Sequence, residues 1–488
     1  MNRLSRRTLG DVAPRVARPP AAALDTTVGI VHLGLGAFHR AHQAILTQRA
    51  LAVAPGRWAI SGASLRGAAV RDSLRPQDCL YTVIENDGVE EGASVVGVVR
   101  EVLWAPEEGR ALLARLAAPA TRIVTLTVTE KGYCHNPASG ELDWTHPDIR
   151  ADLVGGDSPQ STIGWLARGL AERQAAGASG LTVLCCDNMA RNGRTLEGLV
   201  RQFTMAQDSG LAAWIEDEVR FPSSMVDRIV PAATPASLDY AAALLGLRDE
   251  AAVSTEGFAQ WVIEDDFAAG RPLWEAVGAE LVRDVRPFQE LKLRLLNGAH
   301  SAIAYLGALE GLPFVADVMA DPALARFIER LMLEEIAPLT PAPPGFDVDA
   351  YARALLHRFR NKSLQHRTLQ IAMDGSQKIP VRWLPVLREG RRRGFPCRHL
   401  VTALAAWLRF LGGRDEVGRE LPLDDPMASQ LRATVAPVAH DPAALVQAVL
   451  GIEEVFGPDL RQDRPLTDQL TGVLTRMAHA GARAALPG

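Results

Sequence analysis

The apolar run Thr27-Val-Gly-Ile-Val-His-Leu33 ends in Gly34-Leu-Gly36 and passes into a helical stretch expected to begin near Ala41. A β-rich segment that meets two close glycines and then a helix has few ways to fold. The glycines allow a tight turn and a close backbone approach, and free N–H groups at a helix start favour an anion such as a pyrophosphate. Strand, Gly-x-Gly turn and helix open a dinucleotide-binding unit, with Gly34, Gly36, Ala37 and Phe38 as candidate cofactor contacts. The third glycine of the usual fingerprint has no counterpart, so a tight turn in another α/β domain is the competing reading.

The following chain keeps the alternation of strand and helix. Residues 58–63 read as a second strand, where an acidic residue commonly meets the adenosine ribose. None occurs from Arg57 to Arg71, whereas Arg66 does, which leaves NAD and NADP both open. Arg66 is a candidate cofactor contact or an exposed loop arginine. Residues 80–84 and 93–99 read as strands of an insertion around the turn Asn86-Asp-Gly88. A helix over 110–118, a strand over 123–129 ending at Glu130-Lys131, and a helix over 161–175 come next. A buried strand over 181–186 delivers Asp187 and Asn188 to its carboxyl end, where ligand groups gather in open α/β sheets. Asn188 would serve equally as a turn cap. Asp227 is a candidate to orient a lysine or bind a hydroxyl, against the plainer reading of a structural ion pair with Arg228. The trio Glu264-Asp265-Asp266 lacks metal-ligand spacing.

From Arg286 onward the pattern is helical, with helices expected over 291–306, 322–336, 348–359, 402–411, 427–435 and 466–478. A boundary near 285 divides a dinucleotide-binding domain with insertions (1–285) from a mainly α-helical substrate-binding and catalytic domain (286–488). Along an ideal helix, Asn297 lies about 140° and His300 about 80° from Lys292, so the three share a broad face. A base, an amide donor and an imidazole together suit acid–base catalysis, against the plainer reading of a surface lysine and a core histidine. Lys378 lies in Asp374-Gly-Ser-Gln-Lys-Ile-Pro380, read as a compact turn.

At 488 residues the chain is too long for a single ordinary core. Its formal charge of −5 gives no reason to expect a nucleic-acid partner, and the Arg391–Arg393 triplet reads as a solvated loop. No apolar run approaches a membrane span. The five cysteines lack CxxC spacing, which suits a reducing cytoplasm and points away from a disulfide framework or a cysteine zinc site. The arginine-rich first 20 residues have no apolar signal core, although their composition leaves a mitochondrial-type presequence open. The expected partner is a small molecule, with no membrane, nucleic acid or obligate protein partner.

Several motifs in order carry a family resemblance. They are Gly29-Ile-Val-His-Leu-Gly-Leu-Gly-Ala-Phe-His-Arg-Ala-His-Gln43, Thr127-Val-Thr-Glu-Lys-Gly-Tyr133, Cys186-Asp-Asn-Met-Ala-Arg-Asn-Gly193, Phe221-Pro-Ser-Ser-Met-Val-Asp-Arg-Ile-Val-Pro231 and Lys292-Leu-Arg-Leu-Leu-Asn-Gly-Ala-His-Ser301. Together they resemble the long-chain, metal-independent mannitol dehydrogenase family, which also contains uronate reductases. The resemblance implies an α/β fold: an N-terminal Rossmann-like dinucleotide-binding domain plus a mainly α-helical C-terminal domain. It also implies hydride transfer at a secondary alcohol or ketone with NAD (NADP not excluded) and no metal.

By that resemblance Lys292 is the catalytic lysine, Asn188 and Asn297 polarise the reacting oxygen, and His300 positions it. Asp227 and Lys378 become substrate-site residues. Thr129-Glu-Lys-Gly-Tyr-Cys134, Val230-Pro-Ala-Ala-Thr-Pro235 and the segment from His366 to Pro380 lean toward the fructuronate reductase (D-mannonate oxidoreductase) branch. Mannitol 2-dehydrogenase, tagaturonate reductase and a non-catalytic nucleotide-sensing protein are the alternatives. A uronate carboxylate would need a cation, for which Lys131, Arg367 and Lys378 are candidates. Two departures stand out. The family can place an acid three residues before the lysine, where this chain has Gln289, and an arginine eight residues before Lys378, where it has Gln370.

Overall fold

Five parallel strands ordered β5–β2–β1–β6–β7 form the central sheet of the N-terminal unit. They are β1 (Val28–Leu33), β2 (Ala59–Ser64), β5 (Val99–Trp104), β6 (Ile123–Leu126) and β7 (Thr182–Cys185). The computed structural model describes residues 1–487 apart from 89, 137–139, 157, 190, 363 and 364. Its chain divides into two compact units, Met1–Gln289 and Glu290–Gly488.

Both faces of the central sheet are buried, as parallel strands require. Val31, Leu33, Val124, Leu126 and Val183 face one way, into a core with Leu112, Leu116, Trp165, Leu166, Leu199 and Phe203 from the covering helices. Ile30, Ile60, Ile123 and Leu184 face the other way, against Ala44, Ile45, Trp261 and Trp274. Successive residues of one strand thus enter opposite cores, and a near-continuous apolar run is the result. The strand order reverses between β1 and β6, and the crevice at such a reversal is where α/β sheets hold nucleotides.

Two three-stranded sheets complete the unit. β3 (Tyr81–Asn86) pairs antiparallel with β4 (Glu91–Val96) and parallel with β9 (Val253–Thr255). β10 (Gln260–Glu264) lies between β8 (Ser224–Asp227) and β11 (Ala279–Val282). The first 26 residues, expected to be irregular, are anchored: Leu4, Val12 and Val16 are buried with Leu80, Ile84 and Val95.

The C-terminal unit is helical around one large core that includes Ile303, Tyr305, Leu306, Phe359, Trp383, Leu404, Trp407 and Leu470. The helix over Val348–Phe359 matches its expected bounds. Three segments depart from expectation. Residues 374–380 form no simple turn, because Gly375–Arg382 is a helix that carries Pro380 within it. Asp374, at φ 56°, supplies the bend before that helix, and Asp-Gly and proline gave the segment its turn-like composition. Leu331–Ile336 is a π-helical segment. Arg391 and Arg392 close a helix begun at Leu384 and, with Arg393, pair with Asp463 and Glu389. Among the described residues, no helix is long and apolar enough to cross a membrane.

Candidate active site

The turn after β1 is built for close approach. Gly34 has φ +90°, and a Cβ there would stand 2.3 Å from the Thr127 carbonyl oxygen. The N–H groups of Gly34 and Leu35 donate to the Ala63 carbonyl at 2.9 and 3.1 Å, tying the turn to the end of β2. Gly36 is extended and begins the helix Ala37–Ala41, which no side chain caps. A Cβ on Gly36 would meet nothing nearer than 3.8 Å, so the space before this helix start is open. Ala37 and Phe38 occupy its first turn, half-buried. A dinucleotide phosphate fits such a turn. The helix starts at Ala37, earlier than the sequence suggests, and breaks at His42 before resuming over Gln43–Val53.

Two stacked imidazoles lie under this turn. His32 and His39 have ring centroids 3.5 Å apart. His32 Nδ1 bonds Thr125 Oγ1 at 2.8 Å and its Nε2 bonds Thr127 Oγ1 at 3.0 Å. Burial pushes the His32 pKa down to about 3 and that of His39 well below its ordinary value. Both rings are therefore neutral at physiological pH.

The other predicted residues of this unit leave the carboxyl ends of neighbouring strands. Arg66 follows β2, exposed, with its guanidinium 3.6 Å from Asp148. Lys131 lies in the 3-10 turn Glu130–Tyr133 after β6, and its side chain is outside the described residues. Asn188 follows β7 and is exposed. Asp227 ends β8 in a different sheet and is buried. Its neighbour Arg228 pairs with Glu85.

Asp187 and Asn192 hold these ends in place. Asp187 accepts from the Val128 and Thr129 N–H groups at 3.0 and 3.1 Å and from the Tyr133 hydroxyl at 2.6 Å. Burial raises its pKa against those bonds. Asn192, fully buried, donates to the carbonyls of Asp187 (2.9 Å) and Ser224 (2.8 Å). Gln289 adds a second amide, donating to the Ser224 carbonyl at 2.9 Å and accepting from the Arg191 N–H at 2.9 Å.

Cys134, His146 and Asp148 also gather, with one ligand atom of each within 4.8 Å of the others. Thiol, imidazole and carboxylate are all zinc-ligand types. Burial pushes the Cys134 thiol up to about 11, and Arg66 pairs with the carboxylate.

In the C-terminal unit, Lys292, Asn297 and His300 are all buried, at 7%, 8% and 6% exposure. The helical run through them is not uniformly α. Lys292–Leu296 is π-helical, and the Asn297 N–H bonds the Lys292 carbonyl five residues back. A π segment advances by less than 100° per residue, which carries Asn297 and His300 angularly closer to Lys292 than an ideal α-helix would. Such one-turn π segments recur at functional sites.

His300 packs against Phe359 (4.6 Å between centroids) and edge-on to His366 (5.4 Å). Its pKa lies well below the ordinary value, through burial first and then the neighbouring His366, Arg382, Arg358 and Lys292. Burial and Lys378 push His366 down to about 4. Lys378 Nζ donates to the Ile371 carbonyl at 3.1 Å. Arg367 is exposed, its guanidinium 5.6 Å from the Phe314 ring centre. Arg358 and Arg382 were missed by the sequence reading. Arg382 follows Lys378 by four residues, a spacing that would have exposed the pair had 374–380 been read as helix.

Family models match both units: the Mannitol dehydrogenase Rossmann domain over residues 28–276 and the Mannitol dehydrogenase C-terminal domain over 284–478. The chain belongs to the mannitol dehydrogenase family. As a family member it is an oxidoreductase acting on a sugar alcohol or sugar acid. It is 42% identical to D-mannonate oxidoreductase of Escherichia coli (strain K12) over 480 residues, 98% of each chain. It is 40% identical to mannitol 2-dehydrogenase of Aspergillus terreus, across 94% of this chain and 92% of that one. In structure it resembles the Pseudomonas fluorescens mannitol 2-dehydrogenase ternary complex with NAD and D-mannitol. That match has a TM-score of 0.91 and 34% identity, covering 99% of this chain and 98% of the other.

Proposed function

We propose that this chain catalyses the NAD(H)-dependent, reversible interconversion of D-fructuronate and D-mannonate. The observation that carries this reading is the pair of arginines, Arg358 and Arg382, that acts on the His300 ring in addition to Lys292. A neutral polyol has no need of such charge, whereas a sugar acid presents a carboxylate that does. The identity of 42% to a D-mannonate oxidoreductase supports the same substrate class.

The turn from Gly34 to Phe38 would hold the dinucleotide, with Arg66 near its adenosine end. When bound, NAD(H) supplies or accepts the hydride. Lys292 gives a proton to the substrate oxygen in reduction and takes it back in oxidation. Asn188 and Asn297 donate to that oxygen as negative charge develops on it. His300, neutral and with Nε2 unpartnered among the described residues, can hydrogen-bond a substrate hydroxyl. Asp227 is assigned to a substrate hydroxyl, and Lys378, with Lys131 and Arg367 as further candidates, to the carboxylate.

Mannitol 2-dehydrogenase activity is the second reading, supported by the likeness to the D-mannitol complex. Turnover of D-fructuronate, D-tagaturonate, D-fructose and D-mannitol with NAD(H) and NADP(H) separates them. The expected result is highest kcat/KM for fructuronate with NADH; equal or higher efficiency on fructose overturns the assignment. Lys292→Ala should keep NADH binding, read by fluorescence titration, and lose turnover by roughly 100-fold or more, within the range for a general acid–base group. Near-normal turnover removes Lys292 from that role.

A further inference from the structure

We propose that Arg382 reads the substrate carboxylate and sets the preference for a sugar acid over a polyol. This deepens the reading above and rests on it. Lys378 and Arg382, four residues apart on the Gly375–Arg382 helix, share one face. Lys378 acts on His366 and Arg382 acts on His300, and those two rings stand edge to face at 5.4 Å. One helix face therefore sets two fixed cations against two neutral imidazoles.

Arg382 is held to the helix that carries the proposed oxygen ligands. Its Nη1 donates to the Asn297 carbonyl at 3.1 Å and to Ser301 Oγ at 2.9 Å. The next residue reinforces the attachment, with Trp383 Nε1 donating to the Gly298 carbonyl at 3.0 Å. A guanidinium presents five donors in a planar fork, and the bonds to the Asn297–Ser301 turn orient that fork. The group is half-buried, where a charge-assisted bond to a carboxylate outweighs the same bond in open water.

Chemical scale agrees with this placement. In fructuronate the carboxylate lies four carbons from the reacting carbon, on the order of 5 Å at ordinary bond lengths. Arg382 Nη1 lies within 3.1 Å of both the Asn297 carbonyl oxygen and Ser301 Oγ, so the guanidinium is held at the residue that bears the Asn297 amide. A cation held there can meet the carboxylate while the Asn297 amide meets the reacting oxygen.

The test compares wild type with Arg382→Met and Arg382→Lys, using NADH with D-fructuronate and D-fructose at low and high salt. The methionine variant should raise KM for fructuronate roughly 10- to 100-fold, the value of a charged hydrogen bond, with a smaller change in kcat. Its loss on fructose should be at least tenfold smaller, and lysine should recover part of the fructuronate affinity. Wild-type KM for fructuronate should also rise with salt, and Arg382→Met should flatten that slope, which a purely structural role would leave unmoved. Equal losses on both substrates, an unchanged salt slope, or an unchanged fructuronate KM overturns the role of Arg382 while leaving the uronate reading intact. A wild-type enzyme that reduces fructose and leaves fructuronate untouched overturns the uronate reading itself, and this role falls with it.

Discussion

Gln289 donates to the Ser224 carbonyl at 2.9 Å and to Asn192 Oδ1 at 3.3 Å, while its own oxygen accepts from the Arg191 N–H. The residue is 5% exposed, so water cannot replace these partners. An amide satisfies the arrangement because it carries a donor and an acceptor on one planar group. A carboxylate has no donor and would turn negative charge toward two oxygens. Gln289→Glu should therefore destabilise the fold by about 1–3 kcal/mol at neutral pH, the cost of mispaired buried polar groups. Burial and the facing oxygens would raise the introduced carboxyl's pKa, so the deficit should shrink as pH falls and the acid regains a proton. Urea denaturation of both proteins at pH 7 and pH 5 checks this; a glutamate variant as stable as wild type at pH 7 contradicts the clamp. In the proposed reaction, a proton exchanged by Lys292 has no carboxylate three residues earlier on which to rest.

At the scale of the element, the two glycines after β1 have different work. Gly34 sits at φ +90° with the Thr127 carbonyl oxygen 2.3 Å from where a Cβ would be, so Gly34→Ala meets both backbone strain and a clash. Gly36 has an ordinary φ of −115° and open space before it. Gly36→Ala should therefore leave the melting temperature near wild type but weaken NADH at least about tenfold, because the methyl fills the space a phosphate would take. Gly34→Ala should lower both, by about 1–2 kcal/mol or more in stability. Thermal melts and NADH fluorescence titrations separate the two, and identical behaviour of the variants contradicts the distinction. β1, β7 and the Val348–Phe359 helix were legible in the sequence because burial and helical periodicity are local. The shared face of Lys292, Asn297 and His300 was legible only in outline. Its π segment depends on a shifted hydrogen-bond ladder that a 3.6-residue period cannot register. Arg382 was missed because Asp374-Gly375 and Pro380 write turn chemistry into a helix, and its partners lie some 80 residues away.

One electrostatic habit recurs in both units: four buried or half-buried imidazoles are held neutral. His32 and His39 in the N-terminal unit, and His300 and His366 in the C-terminal unit, all have pKa values below the ordinary 6.5, chiefly through burial. The sign follows from linkage. Above pH 6.5 these rings are neutral whether folded or unfolded, and they contribute no pH dependence. As pH falls below 6.5 the unfolded chain binds protons that the folded chain does not, down to about 4 for His366 and about 3 for His32. Stability is thus fully present above pH 6.5 and is lost as pH falls through that window, by at most about 1.4 kcal/mol per ring per pH unit. The interval from pH 7.5 to 5.5 lies above the usual carboxylate range, so histidines dominate it. The urea midpoint, followed by fluorescence of the nine tryptophans, should be clearly lower at pH 5.5 than at pH 7.5. Because both units hold such rings, the loss should appear in every unfolding phase if the two melt separately. A midpoint that is unchanged or higher at pH 5.5 would mean that these imidazoles take up protons in the folded state.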